Sequence, residues 1–112
     1  MVVPPPAAEA APARQGVYLA VLSAALMPTA FRLAQQVRAR GVVAVMDPEG
    51  KSLKAQLREA DKWQCRFVAI LGDKESQAQA LSVKDLEQGS QEAIAFDAFP
   101  EAMAQHAVHT HI

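Results

Sequence analysis

The residues whose types and spacing point most directly to chemistry lie between Gly50 and Lys62. If Ser52 opens a helix, 3.6 residues per turn place three cations on one solvent-facing line, with a fourth at the helix start. Unpaired amide groups at that start add positive potential. The stretch therefore predicts a surface for a polyanion, although lysines spaced by four also describe an ordinary solvated helix face. The cations are Lys54, Arg58 and Lys62 on the line and Lys51 at the start, with Leu53, Leu57 and Ala60 on the opposite side.

A nucleotide phosphate site is not expected here. Gly50-Lys51-Ser52 matches the last three residues of the phosphate-binding loop Gly-x-x-x-x-Gly-Lys-Ser/Thr, but Val45 stands where its first glycine belongs. The dinucleotide pattern Gly-x-Gly-x-x-Gly is absent as well.

Two other groups of side chains have the chemistry for a site. Asp47 and Asp73 each follow an apolar run, where paired carboxylates could bind magnesium or transfer protons. Acidic residues at strand ends more often solvate turns, and no histidine or serine is placed by motif to complete a mechanism. His106, His109 and His111 crowd the C-terminal end without a neighbouring carboxylate or cysteine, which favours an incidental cluster over a metal site.

Four further residues bear on nucleic-acid binding. Trp63 could stack on a base, but a lone tryptophan at a helix end is more often a partly buried core anchor, and that is the role we expect. Arg38 and Arg40 could extend the basic surface. Gln56 is the polar side chain that could supply base selectivity, together with free backbone groups in the strand-end loops.

Length and composition limit the class of protein. A chain of 112 residues supports one domain with a single core. Its net charge of -1 means that nucleic-acid binding would have to come from a local patch. The single cysteine, Cys65, excludes an internal disulfide and a multi-thiolate metal site. No bilayer-spanning run or signal-peptide pattern is present, so a cytosolic protein without membrane contact or cofactor is the simplest inference.

The elements that must position these side chains follow from the hydrophobic pattern. Residues 1–15 hold four prolines and five alanines, which predicts a flexible arm or linker before a domain over residues 16–108 and a tail over 109–112. Three apolar runs alternate with two helical patterns, as in right-handed βαβ units, and a hairpin and a last helix follow. The predicted strands are Val17–Leu22, Val42–Met46, Arg66–Leu71, Leu81–Lys84 and Ala93–Phe96; the predicted helices are Pro28–Arg40, Ser52–Trp63 and Pro100–Val108. The predicted fold is therefore α/β, a three-layer α/β/α sandwich with an antiparallel edge.

The order of these elements and five local segments resemble the C-terminal anticodon-binding domain of class IIa aminoacyl-tRNA synthetases, most like that of histidyl-tRNA synthetase. The resemblance runs collinearly from Gly16 to Phe99. It implies a mixed five-stranded sheet of order 2-1-3-4-5 with strand 4 antiparallel, and a surface for the anticodon stem and loop of tRNA. The segments that carry it are Val17–Val21, Leu33–Val42, Gly50–Gln56 with Ala60–Lys62, Arg66–Gly72 and Val83–Leu86.

The resemblance also assigns residues by position. It places a first set near the anticodon and one residue on the later strand, while the helical pattern adds Arg58 and Lys62 to the RNA-binding candidates. Gln79 is a departure, because relatives often have a turn glycine there. The set assigned by resemblance is Gly50, Lys51, Ser52, Lys54 and Gln56, with Lys84 on the strand.

Two functions remain open from the sequence. The chain lacks class II catalytic motifs and histidine-binding signatures, so we do not expect it to charge tRNA alone. The first hypothesis is a tRNA-binding module that works with a class II catalytic domain in the same parent chain or in a separate one. The alternative is a structural or regulatory module of the same fold that forms a homodimer or binds a protein without tRNA.

Overall fold

A mixed β-sheet covered by helices on both faces organises the part of the chain that the structure describes. This structure, a computed structural model, describes residues 14–47, 49 and 51–108. The strands are β1 (Val17–Val21), β2 (Ala44–Met46), β3 (Phe67–Leu71), β4 (Ala80–Asp85) and β5 (Gln91–Ala95). The helices are α1 (Met27–Arg38), preceded by a 3-10 turn at Ala24–Leu26, then α2 (Leu53–Lys62), α3 (Asp73–Ala78) and α4 (Phe99–Val108).

The sheet has the order β2-β1-β3-β4-β5. β1 pairs in parallel with both β2 and β3, whereas β4 is antiparallel to both of its neighbours. The predicted α/β fold and its strand order are therefore confirmed. All five residues of β1 are buried, as expected for a central strand with helices on both faces.

Two apolar cores lie on the two faces of the sheet. The larger core joins the sheet to α1 and α4 and includes Leu33, Phe99 and Met103. The smaller core joins the opposite face to α2 and includes Tyr18 and Val68. The two helical layers are therefore separate surfaces. The exposed cations Lys54, Arg58 and Lys62 lie on α2, in the layer opposite α1 and α4.

The element that the sequence did not predict is α3. It has six residues and no buried side chain, so it shows no apolar period to detect. The side chain of Glu75 accepts a hydrogen bond from the backbone N–H of Gly72 at 3.0 Å, which closes its first turn. It ends at Gln79, whose φ of 56° lies in the left-handed region that favours glycine.

The described part of the predicted arm contacts the domain. The Nε of Arg14 donates to the carbonyl of Cys65 at 2.8 Å, and the backbone N–H of Gln15 donates to the carbonyl of Gln64 at 3.1 Å. Residues 1–13 and the predicted tail 109–112 lie outside the described residues. Among the helices that are described, none has the length and apolar character required to cross a membrane.

Candidate nucleic-acid interface

The helix that carries the predicted cations begins where the sequence places it. Ser52 is the N-cap of α2, and its hydroxyl oxygen accepts a hydrogen bond from the backbone N–H of Ala55 at 3.2 Å. Lys54, Arg58 and Lys62 are all exposed, and a rise of 1.5 Å per residue spaces them by about 6 Å along the helix axis. The predicted placement of these three residues, called the basic line below, is therefore confirmed.

The basic line forms no ion pair within the described part of the chain. Within the described ranges, neither its three cations nor Lys84 has a carboxylate within 4.0 Å. The two acidic residues of α2 are paired elsewhere, since Glu59 lies 3.7 Å from the Nζ of Lys51 and Asp61 lies 3.0 Å from the guanidinium of Arg14. The outer face of α2 therefore presents net positive charge to an anionic ligand.

In the described structure Lys51, unlike the three residues of the basic line, forms ion pairs with neighbouring carboxylates. Its Nζ lies 2.8 Å from the carboxylate of Asp47, which also accepts a hydrogen bond from the backbone N–H of Glu49. The hydrogen bond from Lys51 lowers the pKa of Asp47, and the same bond raises the pKa of Lys51, so the pair stays ionised over a wide pH range. Asp47 therefore orders the turn before α2, and Asp73 lies exposed at the start of α3.

Gln56 is placed differently from the expectation that it reads bases. Its side chain has no exposed surface. Its amide oxygen accepts from the backbone N–H of Val21 at 3.2 Å, and its Nε2 donates to the carbonyls of Val21 at 2.9 Å and Lys51 at 2.6 Å. The expectation is corrected, because Gln56 lies one helical turn before buried Ala60 and faces the end of β1. It holds α2 to the sheet and offers no group to a ligand.

Of the last two predicted RNA-binding residues, the structure describes Lys84 but not Gly50. Lys84 pairs with Val68 across β3 and β4, and Val68 belongs to the core beneath α2. Because paired residues share a face of the sheet, half-buried Lys84 lies on the same face as α2. Gly50 lies outside the described residues.

Arg38 and Arg40 do not extend the basic line. Arg38 is the last residue of α1 and Arg40 lies in the turn that follows, so both belong to the opposite helical layer. The guanidinium of Arg38 donates to the carbonyl of Ala44 at 2.7 and 3.1 Å, and Arg40 lies 3.8 Å from the carboxylate of Glu101. The sheet separates both arginines from α2, so the predicted extension of the surface is wrong.

The prediction that Trp63 anchors the core is also wrong. Its side chain is 60% exposed, and its Nε1 donates a hydrogen bond to the carboxylate of Glu59 at 3.3 Å. Trp63 is the C-cap of α2 and lies three residues after Ala60, the last buried residue of the helix. The neighbouring core position is filled by Cys65, which is buried.

His106 makes an aromatic contact in place of a metal site. Its ring centroid lies 4.8 Å from that of Phe67. His109 and His111 lie outside the described residues. Over residues 14–47, 49 and 51–108, no three histidine, cysteine, aspartate or glutamate side chains are grouped to hold a metal ion.

Tyr18 is a feature that the sequence analysis missed. Its side chain is 1% exposed, and its hydroxyl has no hydrogen-bond partner among the described residues. Burial, followed by the negative charges of Asp47 and Glu59, raises the pKa of Tyr18 to about 12. A tyrosine in an apolar run carries no sequence signal that its hydroxyl will be left unpaired.

This raised pKa gives a testable titration. Tyr18 is the only tyrosine, so tyrosinate absorbance reports on it alone. In the folded protein we expect ionisation to be centred at about pH 12, against about pH 10 in urea. Because the folded state holds this proton more tightly, stability should fall as the pH rises from about 10 toward 12. A folded chain that titrates at the same pH as the urea-unfolded chain would contradict this, with circular dichroism confirming the fold.

The sequence that folds into this order of strands matches a known class of domain. A family model described as an anticodon binding domain matches residues 16–106. The chain therefore belongs to the family of anticodon-binding domains.

Within that family, the chain is similar to histidine–tRNA ligases. It is 37% identical over 94 residues to the enzyme of Syntrophotalea carbinolica, a match that covers 84% of this chain and 22% of the relative. The crystal structure of histidyl-tRNA synthetase from Nostoc sp. PCC 7120 superposes with a TM-score of 0.74 at 32% identity, over 83% of this chain and 23% of that one.

A second crystal structure shows the same fold. Apo histidyl-tRNA synthetase of S. aureus superposes with a TM-score of 0.76 at 24% identity, over 82% of this chain and 24% of that one. The chain spans only about a fifth of the length of the curated relatives it matches.

Proposed function

We propose that this chain binds tRNA through the anticodon stem and loop, as the anticodon-binding module of a histidyl-tRNA synthetase or of a freestanding relative. The observation that carries the proposal is the basic line on α2, exposed and without acidic partners in the described structure. Phosphate contacts of this kind give affinity and fix the position of the RNA. Aminoacylation would require a class II catalytic domain, in the same parent chain or in a separate protein.

The buried position of Gln56 changes how base selectivity would arise. With its amide bonded to Val21 and Lys51, the remaining candidates are backbone groups in the strand-end loops and the hydroxyl proton of Ser52. Lys84 would add one phosphate contact from the sheet face beside α2. The basic line would then set the register of the RNA, and the loops would select among bases.

Removing two members of the basic line tests the proposal. We expect Lys54→Ala combined with Arg58→Ala to lower the affinity for a tRNA transcript with the histidine anticodon by about tenfold at moderate salt. The slope of log affinity against log salt should fall in magnitude by about 1.5, because two phosphate contacts are lost. Filter binding over a range of salt concentrations measures both quantities.

A charge-matched control lies in the opposite helical layer. Arg32→Ala combined with Arg40→Ala removes the same charge from α1 and the turn that follows it, and should leave the salt slope unchanged. If the α2 variant keeps both affinity and slope, the proposed surface is wrong. If the unaltered chain forms a stable dimer by light scattering and does not bind tRNA at low salt, the role as a structural module is favoured instead.

A further inference from the structure

Trp63 is the most exposed of the large apolar side chains in the described structure. It is 60% exposed, compared with 56% for Val43, 55% for Phe31 and 45% for Leu22. An indole in this position leaves a wide apolar ring surface in water that a flat ligand could cover. The hydrogen bond of the indole to Glu59 determines which part of the ring is left for a ligand.

The indole is held in place by its polar edge. Its Nε1 donates to the carboxylate of Glu59 at 3.3 Å, and Glu59 in turn lies 3.7 Å from the Nζ of Lys51. The only polar atom of the ring therefore has a partner within the protein, and the ring faces remain for stacking. A ring already held in one orientation loses less conformational entropy when a flat ligand stacks on it.

The surroundings favour RNA over a protein partner. Trp63 follows Lys62 directly, and the rise of the helix puts it about 13 Å along the axis from Lys54. Rotation by about 100° per residue also puts Trp63 roughly a quarter turn around the helix from Lys62. Within the described structure, the unpaired charges of α2 are the three cations of the basic line, whereas Glu59 and Asp61 are each paired with a cation. Lys62, the last cation of the basic line, directly precedes the exposed ring. Cations next to an exposed aromatic ring bind single-stranded nucleic acid, with phosphates on the cations and a base on the ring.

We propose that Trp63 stacks on an unpaired base of the RNA whose phosphates contact Lys54, Arg58 and Lys62. The inference rests on the proposed tRNA-binding function and adds a base-binding position at the C-terminal end of α2. Stacking accepts any base, so Trp63 contributes affinity and a binding register without selecting sequence. It would also give a role to an aromatic side chain that is exposed at the end of a helix whose other apolar side chains face the sheet.

Trp63 is the only tryptophan, so the intrinsic fluorescence of the indole reports on this position alone. We expect titration with the same tRNA transcript to quench it in step with binding. Trp63→Ala should weaken binding by about tenfold to a hundredfold, the range for losing one stacked base, and Trp63→Phe should recover part of the loss. The salt slope should not change in Trp63→Ala, because no phosphate contact is removed.

Phe31→Ala is the matched control, since Phe31 is 55% exposed on α1 in the opposite layer, and it should bind tRNA normally. If tRNA binds with the expected salt dependence but the fluorescence and the affinity of Trp63→Ala are unchanged, the stacking inference is overturned and the proposed function stands. If the unaltered chain fails to bind tRNA at low salt, both are overturned. If Trp63→Ala changes only the solution mass, Trp63 belongs to a protein interface and the inference is again wrong.

Discussion

Replacing Gln56 with alanine is expected to lower the free energy of unfolding by about 3 kcal/mol. The side chain is fully buried and makes three hydrogen bonds, two with the backbone of Val21 and one with the carbonyl of Lys51. Its removal leaves those backbone groups without partners in a site with little access to water, and opens a cavity between α2 and β1. Urea unfolding followed by circular dichroism measures the loss.

Two further variants separate the causes. Gln56→Met keeps most of the side-chain volume but cannot replace the hydrogen bonds, so it should still lose about 2 kcal/mol. Gln36→Ala, the same substitution at an exposed position of α1, should change stability by less than about 0.5 kcal/mol. If Gln56→Ala were as stable as the Gln36 control, the hydrogen bonds of Gln56 between α2 and β1 would not contribute to stability.

Replacing Asp85 with alanine is expected to lower the free energy of unfolding by about 2 kcal/mol at neutral pH. Asp85 is 7% exposed, and its Oδ1 accepts hydrogen bonds from the backbone N–H groups of Glu87 at 2.9 Å and Gln88 at 3.1 Å. Its Oδ2 lies 3.2 Å from the guanidinium of Arg66. The substitution would remove the side-chain acceptor from the turn between β4 and β5. It would leave Glu87, at 3.4 Å, as the carboxylate partner of Arg66 in the described structure.

The stabilisation by Asp85 should depend on pH in one direction. Burial opposes ionisation of Asp85, but the hydrogen bonds from Arg66, Gln88 and Glu87 outweigh it and hold the pKa of the carboxyl below its usual value. A lowered pKa in the folded state means that the stabilisation is present above about pH 4 and is lost as the pH falls through the folded value. The stability gap between the two proteins should therefore narrow in acid.

Urea unfolding of both proteins at neutral and acid pH measures that gap. Asp97→Ala provides the control, because Asp97 is an exposed turn residue and its loss should cost less than about 0.5 kcal/mol at either pH. A gap that stays constant from neutral to acid pH would show that the Asp85 carboxylate contributes packing alone.

The sequence predicted the framework better than the orientation of individual side chains. The apolar runs located the strands, and the cap at Ser52 set the helical phase that exposes Lys54, Arg58 and Lys62. Gln56 was misjudged because it is polar, although its spacing from Leu53 and Ala60 matches the buried side of the helix. Position in the helical period was the better guide there, since a polar side chain can be buried when the backbone supplies its partners.

Trp63 and Arg38 were misjudged for different reasons. Trp63 lies three residues after buried Ala60, so helical periodicity predicts burial. It is the C-cap of α2, however, and its ring contacts Glu59 and stays exposed. Arg38 was grouped with α2 although the strand order already separates them. In a 2-1-3 order the crossover from β1 to β2 and the crossover from β2 to β3 run in opposite directions across the sheet. Right-handed connections then place their helices on opposite faces.

The central position of β1 also has a consequence for how the chain acquires its structure during synthesis. β1 is made before the strands on both of its sides, and Val17 pairs with Phe67, which is synthesised about 50 residues later. Until then its five uncharged residues have an unpaired strand edge, the kind of segment that associates with other nascent chains. Pairing β1 with β3 therefore requires the closure of a loop of about 50 residues, whose entropy is lost before the contacts between these strands form. A rapid arrival of β3 would protect the newly made chain against aggregation.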